Sequence, residues 1–211
     1  MRKGIIITIA AGAVLVIAIV TMFAIRSATA PSASPVTGGS ALAADSHVLD
    51  EGDAVTVVEF LDFECPACAA FVPVVEELRA EFEGRLTYAV RYYPLPKHPN
   101  AVNAAIAAEA AARQGQFEAM ATLLFARQAD WAGNAQSQAP LFRDYAAELG
   151  LDLTQYDRDV ADPAVLERVQ SDVAAGAALG VQSTPSFFVD DELLQLQAYD
   201  DLRDAVAARV G

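Results

Sequence analysis

The chain has two cysteines, and they stand together as Cys65-Pro66-Ala67-Cys68. An apolar run ends just before them and a helix-like stretch begins directly after. Two residues between the thiols span one helical turn, which brings the second sulfur back toward the first. Such a pair can pass between dithiol and disulfide. A thiolate near neutral pH needs a local positive potential, and the first turn of a helix supplies one through unpaired N–H groups and aligned peptide dipoles. Pro66 suits the first helical position, where the missing N–H costs nothing and φ is already helical. In this arrangement Cys65 is the exposed nucleophile, and Cys68 is the more buried partner that resolves mixed disulfides.

Three plainer uses compete. A zinc site needs further ligands, and the two histidines, His47 and His98, lack finger-like spacing to the cysteines. A structural disulfide across two residues closes almost no loop and restrains the unfolded chain little. The cysteines also suit a core. Strand-then-helix placement makes redox exchange the leading reading, with no metal and no bound cofactor, because sulfur carries both electrons.

The surrounding pattern supplies the elements that must hold such a pair. Residues 54–62 (AVTVVEFLD) are β-branched and apolar and read as a buried strand. From Pro66 to Phe82 apolar residues recur at helical intervals, and Gly84 fits the stop. Residues 86–93 (LTYAVRYY) form the next strand, ended by Pro94 and Pro96. Strand, helix and strand at this length make a βαβ unit with parallel strands. From Pro99 to about Gly180 the chain is Ala-rich and helical. Breaks near Gly115, Gly133, Gly150 and Pro163 divide it into four or five helices. A late hairpin follows, Ser186–Val189 and Leu193–Leu196 around a turn at Asp190-Asp191, and residues 200–210 close as an amphipathic helix.

The chain has 211 residues and a net charge of −14. Its length allows one globular domain plus a tail. The acidic balance excludes nucleic acid as a partner, because phosphate binding relies on clustered Lys and Arg. Arg2 and Lys3 precede an uncharged apolar run, residues 4–25, that Arg26 closes. At 1.5 Å per residue it measures roughly 33 Å as a helix, enough to cross a bilayer core. Ala28-Thr29-Ala30 has the form of a cleavage site, but Pro31 follows it, so an uncleaved anchor over residues 1–26 is favoured. The basic lead predicts a single pass with a cytoplasmic N-terminus and an extracytoplasmic body, where thiol pairs persist as disulfides. Residues 27–46 are rich in Ala, Ser, Pro, Thr and Gly and read as a flexible tether. The body is then 47–211, with the helical insertion at about 98–180.

This layout resembles the thioredoxin fold, an α/β fold, carrying an inserted α-helical domain. More narrowly it resembles the DsbA-like thiol:disulfide oxidoreductases of the membrane-anchored bacterial type. The likeness rests on residues 59–68 (EFLDFECPAC), 92–101 (YYPLPKHPNA) and 180–189 (GVQSTPSFFV). By composition alone Pro185 is an ordinary turn proline before a strand. The resemblance makes Thr184-Pro185 the family's cis-proline loop, which packs against the pair and offers backbone hydrogen bonds to an extended substrate. It likewise makes Glu59, otherwise a core or edge carboxylate, the buried acid that exchanges a proton with the resolving thiol.

The resemblance implies reduced or unfolded exported proteins as substrates, a membrane partner that reoxidises the pair, and a monomer; a disulfide isomerase is disfavoured, since residues 27–53 are too short for its separate dimerisation domain. Two departures bear on direction. Pro-Ala replaces the Pro-His of the best-known oxidases, and Glu64 adds negative charge beside Cys65. Both are expected to disfavour the thiolate and to weaken the disulfide as an oxidant. An exported reductase, or a redox-silent binding module, is the alternative. His98 reads as a loop residue and Trp131 as packing, while Phe63 and Phe71 are candidates for an apolar surface that meets unfolded substrate.

Overall fold

The computed structural model describes residues 33–35 and 39–211. The expected anchor lies outside the described residues. No helix among those described is long and apolar enough to cross a membrane.

Among the described residues six strands form one sheet in the order β1-β6-β5-β3-β4-β2. They are β1 (Ala33–Pro35), β2 (His47–Asp50), β3 (Val55–Leu61), β4 (Leu86–Tyr92), β5 (Ser186–Val189) and β6 (Glu192–Leu194). β3 and β4 are parallel, joined by helix α1 (Pro66–Glu81) as a right-length crossover requires. β3 also pairs antiparallel with β5, and β5 with β6. β2, which composition alone did not reveal, adds antiparallel to β4 with a register shift between Val48 and Asp50.

β3 is near-continuously apolar because both its faces are covered. Alternation then divides its side chains. Val57 and Leu61 join the large core under α1 and the helical block, with Tyr88, Val90 and Tyr92 of β4. Val58 and Phe60 join a second cluster with Ala89, Val181 and Phe188. Glu59 has the parity of Val57 and Leu61, so it points to the α1 face.

The helical insertion runs through α2 (Ala101–Ala112), α3 (Phe117–Ala126), α4 (Gln128–Trp131), α5 (Ala139–Glu148), α6 (Leu153–Val160) and α7 (Pro163–Ala178). The expected breaks all separate helices. One more falls at Arg127, where no Gly or Pro marks it, and it sets off the single turn α4. α2 is wrapped by its neighbours, and its small alanines, including Ala104 and Ala108, are fully buried. Asp152 and Asp162 start α6 and α7 by accepting backbone N–H groups from Thr154, Gln155 and Ala164. α8 (Asp200–Val210) packs Leu202 and Val206 into the large core.

The sequence reading ended the tether at Ser46, but residues 40–46 dock on the body. Ala41 is fully buried. Its N–H donates to Asp191 Oδ1 at 2.6 Å and its carbonyl accepts from Arg91 at 3.1 Å. Leu42 packs on the second cluster and Asp45 pairs with Arg168 at 3.2 Å, so small and polar contacts with partners distant in sequence hold this segment. Asp191 is available because the β5–β6 turn places Asp190 and Asp191 at φ 48° and 66°, a turn type that suits the twist of a tight hairpin.

α7 lies close against the second face of the sheet. A Cβ at Gly176 would sit 2.8 Å from the Tyr93 ring and 3.0 Å from the Phe60 ring. Gly176→Val is expected to destabilise the protein by about 1–3 kcal/mol through overpacking. Denaturant unfolding checks this, and an unchanged midpoint would contradict the packing described.

Candidate active site

Cys65 is the N-cap of α1, with extended backbone at φ −76° and ψ 121°, and Pro66 opens the helix. β3 ends four residues earlier, so the strand delivers the motif to the edge of the sheet. The N–H of Cys65 donates to the Asp62 carbonyl at 3.0 Å, which closes the connecting turn. Both thiols are free. Cys65 retains 5% exposure and Cys68 1%, so the nucleophile is more recessed than the sequence reading placed it. The order of accessibility still puts Cys65 outward.

The Cys65 thiol is lowered to about 5. The largest cause is a hydrogen bond from the Cys68 thiol. Burial opposes it, while Thr184 and the backbone N–H groups of Cys68 and Ala67 add to it. Those two N–H groups are the unpaired donors of the first helical turn. Cys68 is pushed well above the usual thiol range, first by burial, then by its bond to Cys65 and by the charge of Glu59. The Asp62 N–H donates to the Cys68 sulfur at 3.5 Å. The two sulfurs are therefore held in opposite protonation states.

Thr184–Pro185 is a cis peptide, and the Thr184 carbonyl accepts the Cys65 thiol at 3.4 Å. The Thr184 hydroxyl oxygen is buried with no hydrogen-bond partner among the described residues. Glu59 is raised to about 7, chiefly by burial; the Tyr88 hydroxyl, which donates to its Oε2, opposes this, and the Cys65 charge adds to it.

Glu64 differs from the sequence reading. Its carboxylate turns away from the sulfurs into the helical insertion, where Oε2 accepts the Asn100 N–H at 2.6 Å and Oε1 the Gly133 N–H at 2.7 Å. Two backbone donors hold it there. Phe63 also differs. It is buried against Phe125, ring centroids 5.1 Å apart, and forms no surface. Phe71 does reach the rim, 4.8 Å from the half-exposed Tyr199 ring.

Several residues around the pair carry no local sequence signal. Asp62 is buried and accepts from the N–H groups of Glu64 and Leu95, each at 2.8 Å, and lies 2.6 Å from His98 Nδ1. His98 is thus a loop residue in position and a brace in effect. From α4, the Gln128 amide donates to the carbonyls of Phe63 at 2.7 Å and Cys65 at 3.0 Å. Tyr88 alone was readable in principle, since alternation along β4 puts it on the face that Glu59 shares. Among the described residues no cluster of three His, Cys, Asp or Glu side chains is placed to hold a metal.

A dithiol at a helix N-terminus, with an acid beneath it and a cis-proline loop beside it, defines a thiol:disulfide exchange site on a thioredoxin-like fold. A family model described as Thioredoxin matches residues 45–208, and the chain belongs to that family. A thioredoxin-like oxidoreductase from Silicibacter pomeroyi is similar to it at 33% identity, over 79% of this chain and 92% of that one, with a TM-score of 0.66. BdbD from Bacillus subtilis superposes with a TM-score of 0.72 at 21% identity, over 84% of this chain and 99% of that one. The Na(+)/H(+) antiporter NhaA of Herminiimonas arsenicoxydans is 43% identical over 150 residues, 71% of this chain. This chain spans only 23% of that protein's length. The architecture is that of the DsbA-like structures, a thioredoxin-like fold with a helical insertion.

Burying Glu59 has a pH-dependent cost. Its folded value lies above the unfolded one, so the cost is absent below about 4.5 and complete above about 7. Glu59→Gln is therefore expected to stabilise the fold at pH 8, on the order of 2 kcal/mol, and to change it little at pH 4. It is also expected to slow exchange. Unfolding at the two pH values with one exchange assay checks both, and equal stability and rate at pH 8 would return Glu59 to a packing role.

Proposed function

We propose that the protein introduces disulfides into reduced or unfolded exported proteins, acting outside the cytoplasm while its N-terminal segment, residues 4–25, holds it in the membrane. The observation that carries the direction is the Cys65 thiol at about 5. Thioredoxin's attacking thiol lies near 7 and that of the strongest oxidase near 3.5. Stabilising the thiolate stabilises the reduced form, and that makes the disulfide a better oxidant.

In the first half-reaction a substrate thiolate attacks Cys65 of the disulfide. The Cys65–Cys68 bond breaks and the electron pair leaves on Cys68, which takes a proton. A second substrate thiol then attacks the substrate sulfur of the mixed disulfide. Cys65 departs as the thiolate its surroundings favour, and the substrate keeps the new disulfide. A membrane partner restores the Cys65–Cys68 bond by accepting two electrons. An extended peptide has a natural seat at the cis-proline loop. A 400 Å³ cleft includes Pro185, Ser186 and Leu196, and an adjoining one of 380 Å³ includes Leu196, Phe71 and Tyr199. Backbone pairing at the Thr184-Pro185 loop would supply affinity, and the aromatic rim would accept apolar side chains.

The anchor reading rests on the length and charge flanks of residues 4–25. Proteins named as antiporters contain a stretch similar to this body, which suits work at a membrane. A reductase uses the same residues in reverse, and the reduction potential separates the two. A value above about −200 mV is expected, and one near thioredoxin's, about −270 mV, would favour the reductase. Cys68→Ser is expected to trap substrates as mixed disulfides on Cys65. Cys65→Ser is expected to abolish turnover. Absence of any trapped species, with turnover intact in Cys65→Ser, would overturn the proposal.

A further inference from the structure

The Asp62 backbone touches both cysteines. Its N–H donates to Cys68 Sγ at 3.5 Å, and its carbonyl accepts the Cys65 N–H at 3.0 Å. β3 pairs with β5 as far as Phe60 opposite Ser186, and the same register carried two residues on would set Asp62 opposite Thr184. The ladder stops short of that pair, and each residue meets a sulfur instead. Asp62 donates to Cys68, while Thr184 accepts from Cys65.

This donor is fixed from both sides. The Leu61 carbonyl belongs to the same planar peptide and accepts the Tyr93 N–H at 2.7 Å. In a trans peptide the N–H then points the opposite way, from β4 toward the sulfur. The Asp62 side chain is fully buried. Its Oδ1 accepts from the Glu64 N–H and its Oδ2 from the Leu95 N–H, each at 2.8 Å, and His98 Nδ1 lies 2.6 Å from Oδ2. Closing the turn to Cys65 takes only the carbonyl bond. The carboxylate's three contacts anchor the residue whose N–H faces Cys68 to the motif on one side and to the loop after β4 on the other.

Exchange puts charge on the sulfur that this N–H faces. A substrate thiolate bonds to Cys65 Sγ, the Cys65–Cys68 bond breaks, and both electrons go to Cys68 Sγ, which is a thiolate until it takes its proton. That charge is costly in place. Cys68 retains 1% exposure, and its thiol is pushed well above the usual range, first by burial, while the Asp62 N–H acts in the opposite sense. A donor already aimed at a developing charge needs no reorganisation as the bond breaks. The same contact serves in reverse, when Cys68 attacks as a thiolate to close the disulfide.

We infer that the Asp62 N–H is the donor that receives the charge of the Cys68 leaving group, and that the Asp62 carboxylate and His98 are the positioning groups that hold it there. The inference rests on the exchange reaction proposed above. It gives the two sulfurs separate donors, the first turn of α1 for Cys65 and the end of β3 for Cys68.

A donor dedicated to Cys68 speeds only the step in which Cys68 leaves, so two rates are read on the full chain. The first is attack of a two-cysteine peptide on the oxidised pair in a single turnover. The second is release of that peptide by glutathione from a mixed disulfide on Cys65, prepared in Cys68→Ser versions of each protein, where Cys65 is the leaving sulfur. Asp62→Asn turns one accepting oxygen into a donating amide, and His98→Ala removes the brace. His98→Asn returns an amide nitrogen near the place of Nδ1. Asp62→Asn and His98→Ala are expected to slow the first rate on the order of tenfold, less than the 10²–10³ that loss of a whole oxyanion-hole donor costs. The second rate is expected to stay at the parent's value, and His98→Asn to recover most of the first. A first rate equal to the parent's, or equal slowing of both rates, would overturn the inference. If Asp62→Asn does not fold, the two His98 variants decide by the same criteria. Failure of the parent itself to exchange would instead sink the underlying reaction.

Discussion

A charged sulfur has to survive in a place with almost no water, and the rest of the molecule is arranged around that demand. Position 65 meets it by being the last residue before a helix. The first-turn N–H groups of Ala67 and Cys68 aim at it, the Cys68 thiol donates to it, and Thr184 closes over it. None of these works alone, since burial of Cys65 pulls the other way. The same burial, acting on a sulfur that receives one backbone N–H, from Asp62, and lies near the Glu59 charge, keeps Cys68 protonated. Two chemically identical side chains thereby take opposite roles, one as nucleophile and leaving group, the other as proton carrier.

The helical insertion serves this arrangement directly. Gln128 grips the backbone on either side of Glu64, and Glu64 in turn is held by N–H groups of Asn100 and Gly133. The motif is therefore clamped between the sheet and the insertion. Asp62 performs the same task from below, linking the end of β3 to the loop that carries Leu95 and His98. The Glu64 carboxylate next to the nucleophile is committed to these contacts. With no histidine between the cysteines, the Cys65 thiol is lowered by the Cys68 thiol, by Thr184 and by the N–H groups of the first helical turn.

What could be read in advance follows from range. The βαβ unit, the late hairpin and the closing helix are local patterns, and their bounds lie within a few residues of the strands and helices described. Cys65, Cys68 and Pro66 are a contiguous signal. Glu59 was visible as an acid in an apolar strand, but its orientation depends on alternation against β4. Thr184-Pro185 carried no information without a likeness to known proteins. Gln128 and Asn100 were illegible because each acts through contacts with residues distant in sequence, whereas alternation along β4 made Tyr88 readable in principle. The docking of residues 40–46 was missed for another reason, since its hydrogen bonds are made largely by backbone and by Asp191. Glu64 misled because proximity in sequence was taken as proximity in charge.

Everything said of direction and mechanism depends on how readily the outer sulfur gives up its proton. The most direct measurement is a pH titration of the thiolate's ultraviolet absorbance in the reduced protein, with Cys65→Ser as the blank. A midpoint near 5 for one thiol, with the second titrating far above it, is the expected result. A single transition of both thiols near the ordinary value of about 8.5 would contradict the account.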